Sequence, residues 1–323
     1  MSGIRAYNTC NGVSNALKST LKARNVAIFL YIFVTPFTRS PNLFMSNESI
    51  KVLYISQAIA PFIAEKATSD ISRELPQSML ESGNEIRVFM PKFGCINERR
   101  HQLHEVIRLS GMNLIINDQD HPLIIKVASI PTARMQVYFI DNEEYFQRKA
   151  VHHDEKEKFF SDNDERALFF GRGVLETVRK LGWAPDVIHC HGWMTGFIPY
   201  YIRDKFFDDP HFENAKIVYS FYGDGGQEKL SKNIFQKLSD DGLNESGLGM
   251  FKKDARVKNM HELAIEHADG IVLYGNGHDA DLKAKLDASN KPTMEHTSDE
   301  VMTDSYKELY SDVLAESSVL VDS

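Results

Sequence analysis

The sequence has 323 residues, 42% hydrophobic and 25% charged, and carries a net charge of −8. That composition suits a globular chain with a core of its own, and its dispersed Lys and Arg exclude the concentrated basic surface used to hold nucleic acid. The three cysteines, Cys10, Cys95 and Cys190, stand far apart with no CxxC spacing, which excludes a disulfide framework and fits a reducing, cytoplasmic setting.

In chain order, the first feature is an apolar run, Val26 to Phe37, preceded by Lys18, Lys22 and Arg24. It is shorter than the ~18 residues that span a bilayer, so no membrane partner is expected. It looks like a signal-peptide core, yet no small-x-small cleavage site follows Phe37. A second methionine, Met45, directly precedes the first clear strand. Three readings of residues 1–44 stay open: a non-native start, a targeting segment and an ordered helix. Residues 45–290 are expected to form one domain, and residues 291–323 a polar tail with a helix over 298–314.

Within 45–290, Ile50–Ser56 is a near-continuous apolar run, as a parallel strand covered on both faces would be. Residues 65–81 show helical periodicity, and Gly83 follows as a C-cap. Glu85–Met90 is the next strand, so the first forty residues form a βαβ unit. Leu123–Val127 and Met135–Ile140 read as strands, the second alternating as at an edge or in antiparallel pairing. A helix over 162–181 is expected, capped by Asp162 or Asn163. Then come strand Pro185–His189, helix Thr195–Arg203, strand Lys216–Phe221, helix Met260–His267 and strand Gly270–Tyr274. This alternation predicts an α/β fold, a Rossmann-like, doubly wound, mostly parallel sheet.

Ligands of such sheets sit beyond the C-terminal ends of strands. That rule selects the loops 57–66, 190–195, 222–227 and 275–279. The first has no glycine for close approach to an anion; Lys66 offers a positive charge there, and an exposed first-turn lysine is the plainer reading. In the second, His189 and His191 share a strand face, with His191 at the tip as a ligand contact or a satisfied buried histidine. No third ligand is close, so no metal is expected. The third loop, Tyr222-Gly-Asp-Gly-Gly-Gln227, either cradles a phosphate or sugar or is simply flexible. The stretch His152-His153-Asp154-Glu155 reads as a solvated loop. No Ser-His-Asp or HExxH pattern is present, and no cofactor is expected.

These same loops carry a family resemblance. Lys51–Ser56 with Ala60-Pro61-Phe62 and Asp70-Ile71 resembles the opening of ADP-glucose-type glycogen and starch synthases, glycosyltransferase family 5. The match continues through Leu75-Pro76, Gly83–Gly94, Tyr138–Phe146, Arg166–Gly173 and Gly182-Trp183-Ala-Pro185-Asp186-Val-Ile-His189-Cys-His191-Gly-Trp193, covering about residues 49–274. The resemblance implies the N-terminal half of a GT-B enzyme, the side that holds the α-1,4-glucan, with the nucleotide sugar held mainly by the other half. It implies substrate contacts at Lys66, Asp70, His191, Trp193, Tyr222 and Gln227, and a metal-free transfer.

Against the family pattern, its lysine falls on Ala64 and its glycines on Lys66 and Ala67. Its His-Asp-Trp reads His191-Gly192-Trp193, and its next histidine is Tyr222. No second Rossmann domain follows Tyr274 in this sequence. The expectation is therefore a glucan-side domain with little or no transfer activity alone, or a non-catalytic glucan-binding or regulatory module. Glycogen is its expected partner, ADP-glucose a doubtful one, and a homodimer or a separate donor-domain chain would be its protein partners.

Overall fold

The computed structural model describes residues 49–64, 66–275, 280–297 and 302–315. The three readings of residues 1–44 lie outside the described residues, as does the side chain of Lys66. The strands are β1 (Lys51–Ser56), β2 (Glu85–Pro91), β3 (His104–Glu105), β4 (Met112–Ile116), β5 (Gln119–Ile130), β6 (Met135–Asp141), β7 (Val187–His191), β8 (Lys216–Phe221), β9 (Gly270–Tyr274) and β10 (Thr293–His296). The helices are α1 (Lys66–Glu81), α2 (Glu98–His101), α3 (Glu143–Phe146), α4 (Asn163–Leu181), α5 (Ile198–Asp204), α6 (Ile234–Asp240), α7 (Val257–His267), α8 (Ala280–Ser289) and α9 (Thr303–Ala315).

The sheet runs in the order β10-β9-β8-β7-β1-β2-β6-β5-β3, with β4 paired to β5 outside that path. Every pairing from β10 to β6 is parallel, and β5 pairs antiparallel with β6, β3 and β4. This is the Rossmann-like, mostly parallel sheet that the alternation predicts. The central strands are apolar because both faces are covered: Val52, Leu53 and Ile55 of β1 and Val187 and Ile188 of β7 are all fully buried. Opposite faces carry different helices. Ser56 of β1 meets Ser72 of α1, and Tyr54 meets Tyr310 of α9, while Tyr219 of β8 meets His261 of α7.

β6 alternates and takes the antiparallel alternative on one side, against β5, while β2 pairs with it parallel on the other, so it is no edge strand. Two local outcomes differ from expectation. β5 is twelve residues long and forms a hairpin with β4 through Asn117 and Asp118, both with positive φ, 52° and 60°. Asn and Asp tolerate that conformation and build the turn whose twist suits paired strands. In the stretch expected as a polar tail, Thr293–His296 joins the sheet beside β9, and α9 buries Tyr306, Leu309, Tyr310 and Val313. Those four positions, spaced three, one and three apart, form one helical stripe.

Candidate functional site

The C-terminal ends of β1, β7, β8 and β9 lie side by side at one end of the sheet. Successive strand residues point to opposite faces, so the residues of these tips divide into two clusters.

On the face covered by α1 and α9, His189 and His191 stack with ring centroids 4.0 Å apart. His189 is bonded through both ring nitrogens, Nδ1 to the Tyr310 hydroxyl at 2.7 Å and Nε2 to the Ser220 hydroxyl at 2.8 Å. The Tyr310 hydroxyl in turn donates to that of Tyr54 at 3.2 Å. His191 bonds through Nδ1 to the Tyr222 hydroxyl at 2.9 Å, and its Nε2 is buried without a partner. Farther along, the Tyr306 hydroxyl bonds His296 Nδ1 at 3.1 Å, and Tyr274 bridges the ring contacts from Tyr222 to His296. Burial pushes His191 down to about 3 and His189 well below the ordinary imidazole range. Both rings are therefore neutral at pH 7. His191 at the tip of β7 and Tyr222 after β8 are thus brought together as a hydrogen-bonded pair, the first buried and the second half-buried.

On the other face, His261 of α7 accepts and donates in a fixed sense. Its Nε2 lies 2.8 Å from the carbonyl oxygen of Asp224, which can only accept, so Nε2 carries the proton. In the neutral ring Nδ1 then accepts from the Tyr219 hydroxyl at 2.7 Å. Burial lowers the His261 pKa, opposed by the nearby Asp224 carboxylate. That carboxylate is clasped from β1: Gln57 Nε2 donates to Oδ2 at 2.9 Å. The Gln57 carboxamide oxygen accepts from the Met194 N–H at 3.3 Å. Asp224 Oδ1 is buried without a hydrogen-bond partner, 3.8 Å from His261 Nε2.

Gln57 also fixes what can stand at position 192. Gly192 has φ +80°, and a Cβ there would lie 2.6 Å from the Gln57 Cδ and Oε1. Side-chain space at 192 is thus already occupied by the carboxamide. Beyond the 222–227 loop, between it, α7 and α8, opens a cleft of about 900 Å³ whose walls include Phe221, Gln227, Met250, His261 and Ile265.

The remaining predicted residues lie apart. Trp193 is only 2% exposed, with its ring against His152 at 4.9 Å and Phe159 at 5.4 Å. It presents core packing, not an open stacking face. Asp70 is exposed on α1, and Gln227 is exposed at the end of its loop. The stretch read as solvated is divided: His152 is buried against Phe93 and Trp193, while Asp154 and Glu155 are half-buried and exposed. Among the described residues no group of three His, Cys, Asp or Glu could hold a metal ion, and no helix is long and apolar enough to cross a membrane. Gln57, Asp224 and His261 were not singled out by sequence reasoning. One signal existed: His261 stands within the apolar stripe Val257, Met260, Ala264.

The family model for the starch synthase catalytic domain matches residues 51–282, from β1 into α8. The chain belongs to that family. Similar curated proteins include glycogen synthases of Chlorobium limicola, 35% identical over 73% of this chain and 49% of the relative, and of Chlorobium luteolum, 36% identical over 72% and 47%. The glycogen synthase of Chlorobium chlorochromatii is 38% identical over 61% and 40%. The chain spans about half the length of the curated relatives it matches. Among solved structures, the catalytic domain of starch synthase IV from Arabidopsis thaliana, bound to ADP and acarbose, matches with a TM-score of 0.64. That match has 18% identity and covers 80% of this chain and 53% of the other, a likeness of fold.

Within this starch synthase family fold, the positions that depart from the resemblance have definite surroundings. Ala64 is exposed just before α1. Gly192 is backed by Gln57, and Tyr222 occupies the Nδ1 side of His191.

Proposed function

We propose that this chain serves as the glucan-holding side of a glycogen- or starch-synthase-type transfer, in which glucose passes from ADP-glucose to the 4-hydroxyl end of an α-1,4-glucan. The observation that carries this reading is the family match across 51–282, which spans the first three strand-tip loops and reaches past the fourth.

The chemistry of the tips favours holding over transfer. Glycosyl transfer needs preorganised groups where charge develops, and losing one such group commonly costs ~10²–10³ in rate. Here Gly192 has no side chain, and the space beside it is filled by a neutral carboxamide. His191, held down to about 3 by burial, is a neutral imidazole at pH 7 and brings no positive charge to a leaving phosphate. Hydrogen bonding and apolar contact to a neutral sugar need neither charge.

The test pairs two measurements on the purified chain. Radiolabelled ADP-glucose with a glycogen primer is expected to give incorporation no higher than a no-protein control, while glycogen retains the chain in a pull-down. Steady incorporation would show that the tips form a working transfer site. Background in both measurements would remove the glucan reading.

A further inference from the structure

β3 and β4 lie on the same side of β5, as one interrupted strand. His104 and Glu105 pair with Val127 and Lys126, and the Val106 N–H donates to the Ile125 carbonyl. After the segment Ile107–Ser110 the pairing resumes at Gly111 and runs to Ile116. Among the described residues no strand pairs with the other side of β4. We infer that this open edge pairs antiparallel with the same edge of a second copy of the chain, giving a two-fold dimer.

The backbone phase of β5 fixes which groups β4 offers. The Leu123 and Ile125 carbonyls accept from Gly111 and Val106, so these residues turn toward the β3–β4 side. Pro122, one residue out of phase, turns the other way, and its carbonyl accepts from Asn142. The hydrogen-bonded pairs of the hairpin are therefore Leu114 with His121 and Ile116 with Gln119. The alternate residues, Asn113 and Ile115, direct their N–H and C=O groups outward. Both are exposed, whereas Leu114 and Ile116 are buried. Lone edge strands are usually guarded by a charge or a proline. Met112-Asn-Leu-Ile-Ile116 has neither.

Two observations select a second copy as the occupant. The first is apolar exposure. Of the three large apolar side chains exposed among the described residues, Ile107 at 82% and Ile115 at 60% belong to this edge. The second is complementary charge. Antiparallel pairing centred on Leu114 sets Asn113 of each copy opposite Ile115 of the other. It also lays the segment 107–111 of each copy beside the Asn117-Asp118 turn of the other. Arg108 is exposed in the first of these places, and Asp118 and Asp120 in or next to the second. Among the described residues none of the three has an ion-pair partner. The two-fold axis makes this match of opposite charges twice. Each copy spends its β4 edge on the other, so the contact closes at two chains and does not grow a fibre. A contact of this length is at the small end of specific interfaces, so the dimer is a weak one.

Sedimentation equilibrium of the full chain tests it, from micromolar to several hundred micromolar, with thermal melting in dilute solution as a check on folding. The wild type is expected to move from the mass of one chain toward that of two as concentration rises. Asn113→Pro removes an N–H that the β4–β5 ladder does not use. Ile115→Lys brings a cation to the centre of the pairing in both copies. Each should weaken the dimer at least tenfold with melting unchanged; where Asn113→Pro melts early, Ile115→Lys decides alone. Arg108→Glu should weaken it severalfold at low salt and less at high salt. Phe207→Lys, at the exposed apolar side chain outside this edge, should leave it as it is. A wild type that stays at the mass of one chain throughout would overturn the dimer. Association that survives Ile115→Lys, or that Phe207→Lys weakens equally, would overturn β4 as its interface. No effect of Arg108→Glu at low salt would overturn the register centred on Leu114.

Discussion

The two faces of the same strand tips solve opposite problems. Under α9, three histidines and five tyrosines, Tyr54, Tyr222, Tyr274, Tyr306 and Tyr310, are joined by hydroxyl–imidazole bonds and ring contacts. Beside α7, one histidine, one carboxylate and one carboxamide hold a glycine-rich loop against an open cleft. The difference follows from side-chain alternation and from what lies over each face. A helix that buries tyrosines must give their hydroxyls partners, since an unsatisfied buried polar group costs about 1–3 kcal/mol. A loop of small residues leaves space in place of contacts. The sealed face should therefore respond to substitution through stability, and the open face through binding.

The largest expected effect sits at the junction of the two. Gly192→Asp would drive a side chain into the Gln57 carboxamide at 2.6 Å, from a backbone with φ +80°. Overpacking and left-handed strain together should cost about 3 kcal/mol. Urea denaturation at constant slope should show the fall. Gln57→Ala should itself be destabilising, since it frees Asp224 and the Met194 N–H, but the double variant should be less harmed than the sum of the two. Strict additivity would mean that the two positions do not compete for space.

Next is Tyr310→Phe on the sealed face. It leaves His189 Nδ1 and the Tyr54 hydroxyl short of a partner. A loss of about 1–2 kcal/mol is expected, again by denaturation. A neutral outcome would show that water enters beneath α9 and that the face is not closed.

The pH dependence sharpens the same contrast. His189 and His191 have folded-state pKa values depressed by burial, below the ~6.5 of an unfolded histidine. The unfolded chain therefore binds protons first as pH falls, and stability is lost from about pH 6.5 downward, toward about pH 3 for His191. Each such histidine contributes a slope of up to ~1.4 kcal/mol per pH unit. Comparing denaturation midpoints at pH 7 and 5.5 for wild type and His191→Asn isolates one of them: the variant should have the shallower slope. Equal slopes would mean that His191 becomes protonated without unfolding.

Much of the fold was legible because its signal is local. β8 and β9 fall on their predicted bounds, and β1 and β2 within a residue of theirs, since parallel strands buried on both faces read as continuous apolar runs. β10 escaped for the converse reason: Thr293-Met-Glu-His296 is an edge strand with one fully buried side chain, His296, and carries no such run. The β4–β5 hairpin carries a turn signal in Asn117-Asp118, flanked by alternation. In the candidate site, the rule that ligands gather beyond strand C-termini selects the loops that carry Gln57, His191, Tyr222 and Gln227. It gives Gln57 no role and does not reach His261, because both act through partners 167 and 37 residues away in Asp224. Trp193 is covered by His152 and Phe159, and the 152–160 stretch shows no apolar period that would announce this.

The smallest expected effect is the one that most cleanly separates the two faces. Gly226 does not occupy the left-handed region, and a Cβ built on it meets nothing within 4 Å. Gly226→Ala should therefore change stability by no more than about 0.5 kcal/mol, the range of surface substitutions away from special features. Its sign should be slightly favourable, because alanine narrows the unfolded ensemble where the native backbone already accepts it. Gly225, one residue earlier, makes the comparison exact in position and opposite in surroundings. It has φ +68°, and a Cβ there would lie 3.3 Å from Val257 and 3.5 Å from the Trp193 ring. Gly225→Ala should lose about 1 kcal/mol or more, from left-handed strain with little room to relax. Parallel urea curves for the two alanine variants would measure how sharply the loop changes from packed against the core to open on the cleft. A loss at 226 equal to that at 225 would mean that the loop is packed along its whole length and that the cleft mouth is closed in solution.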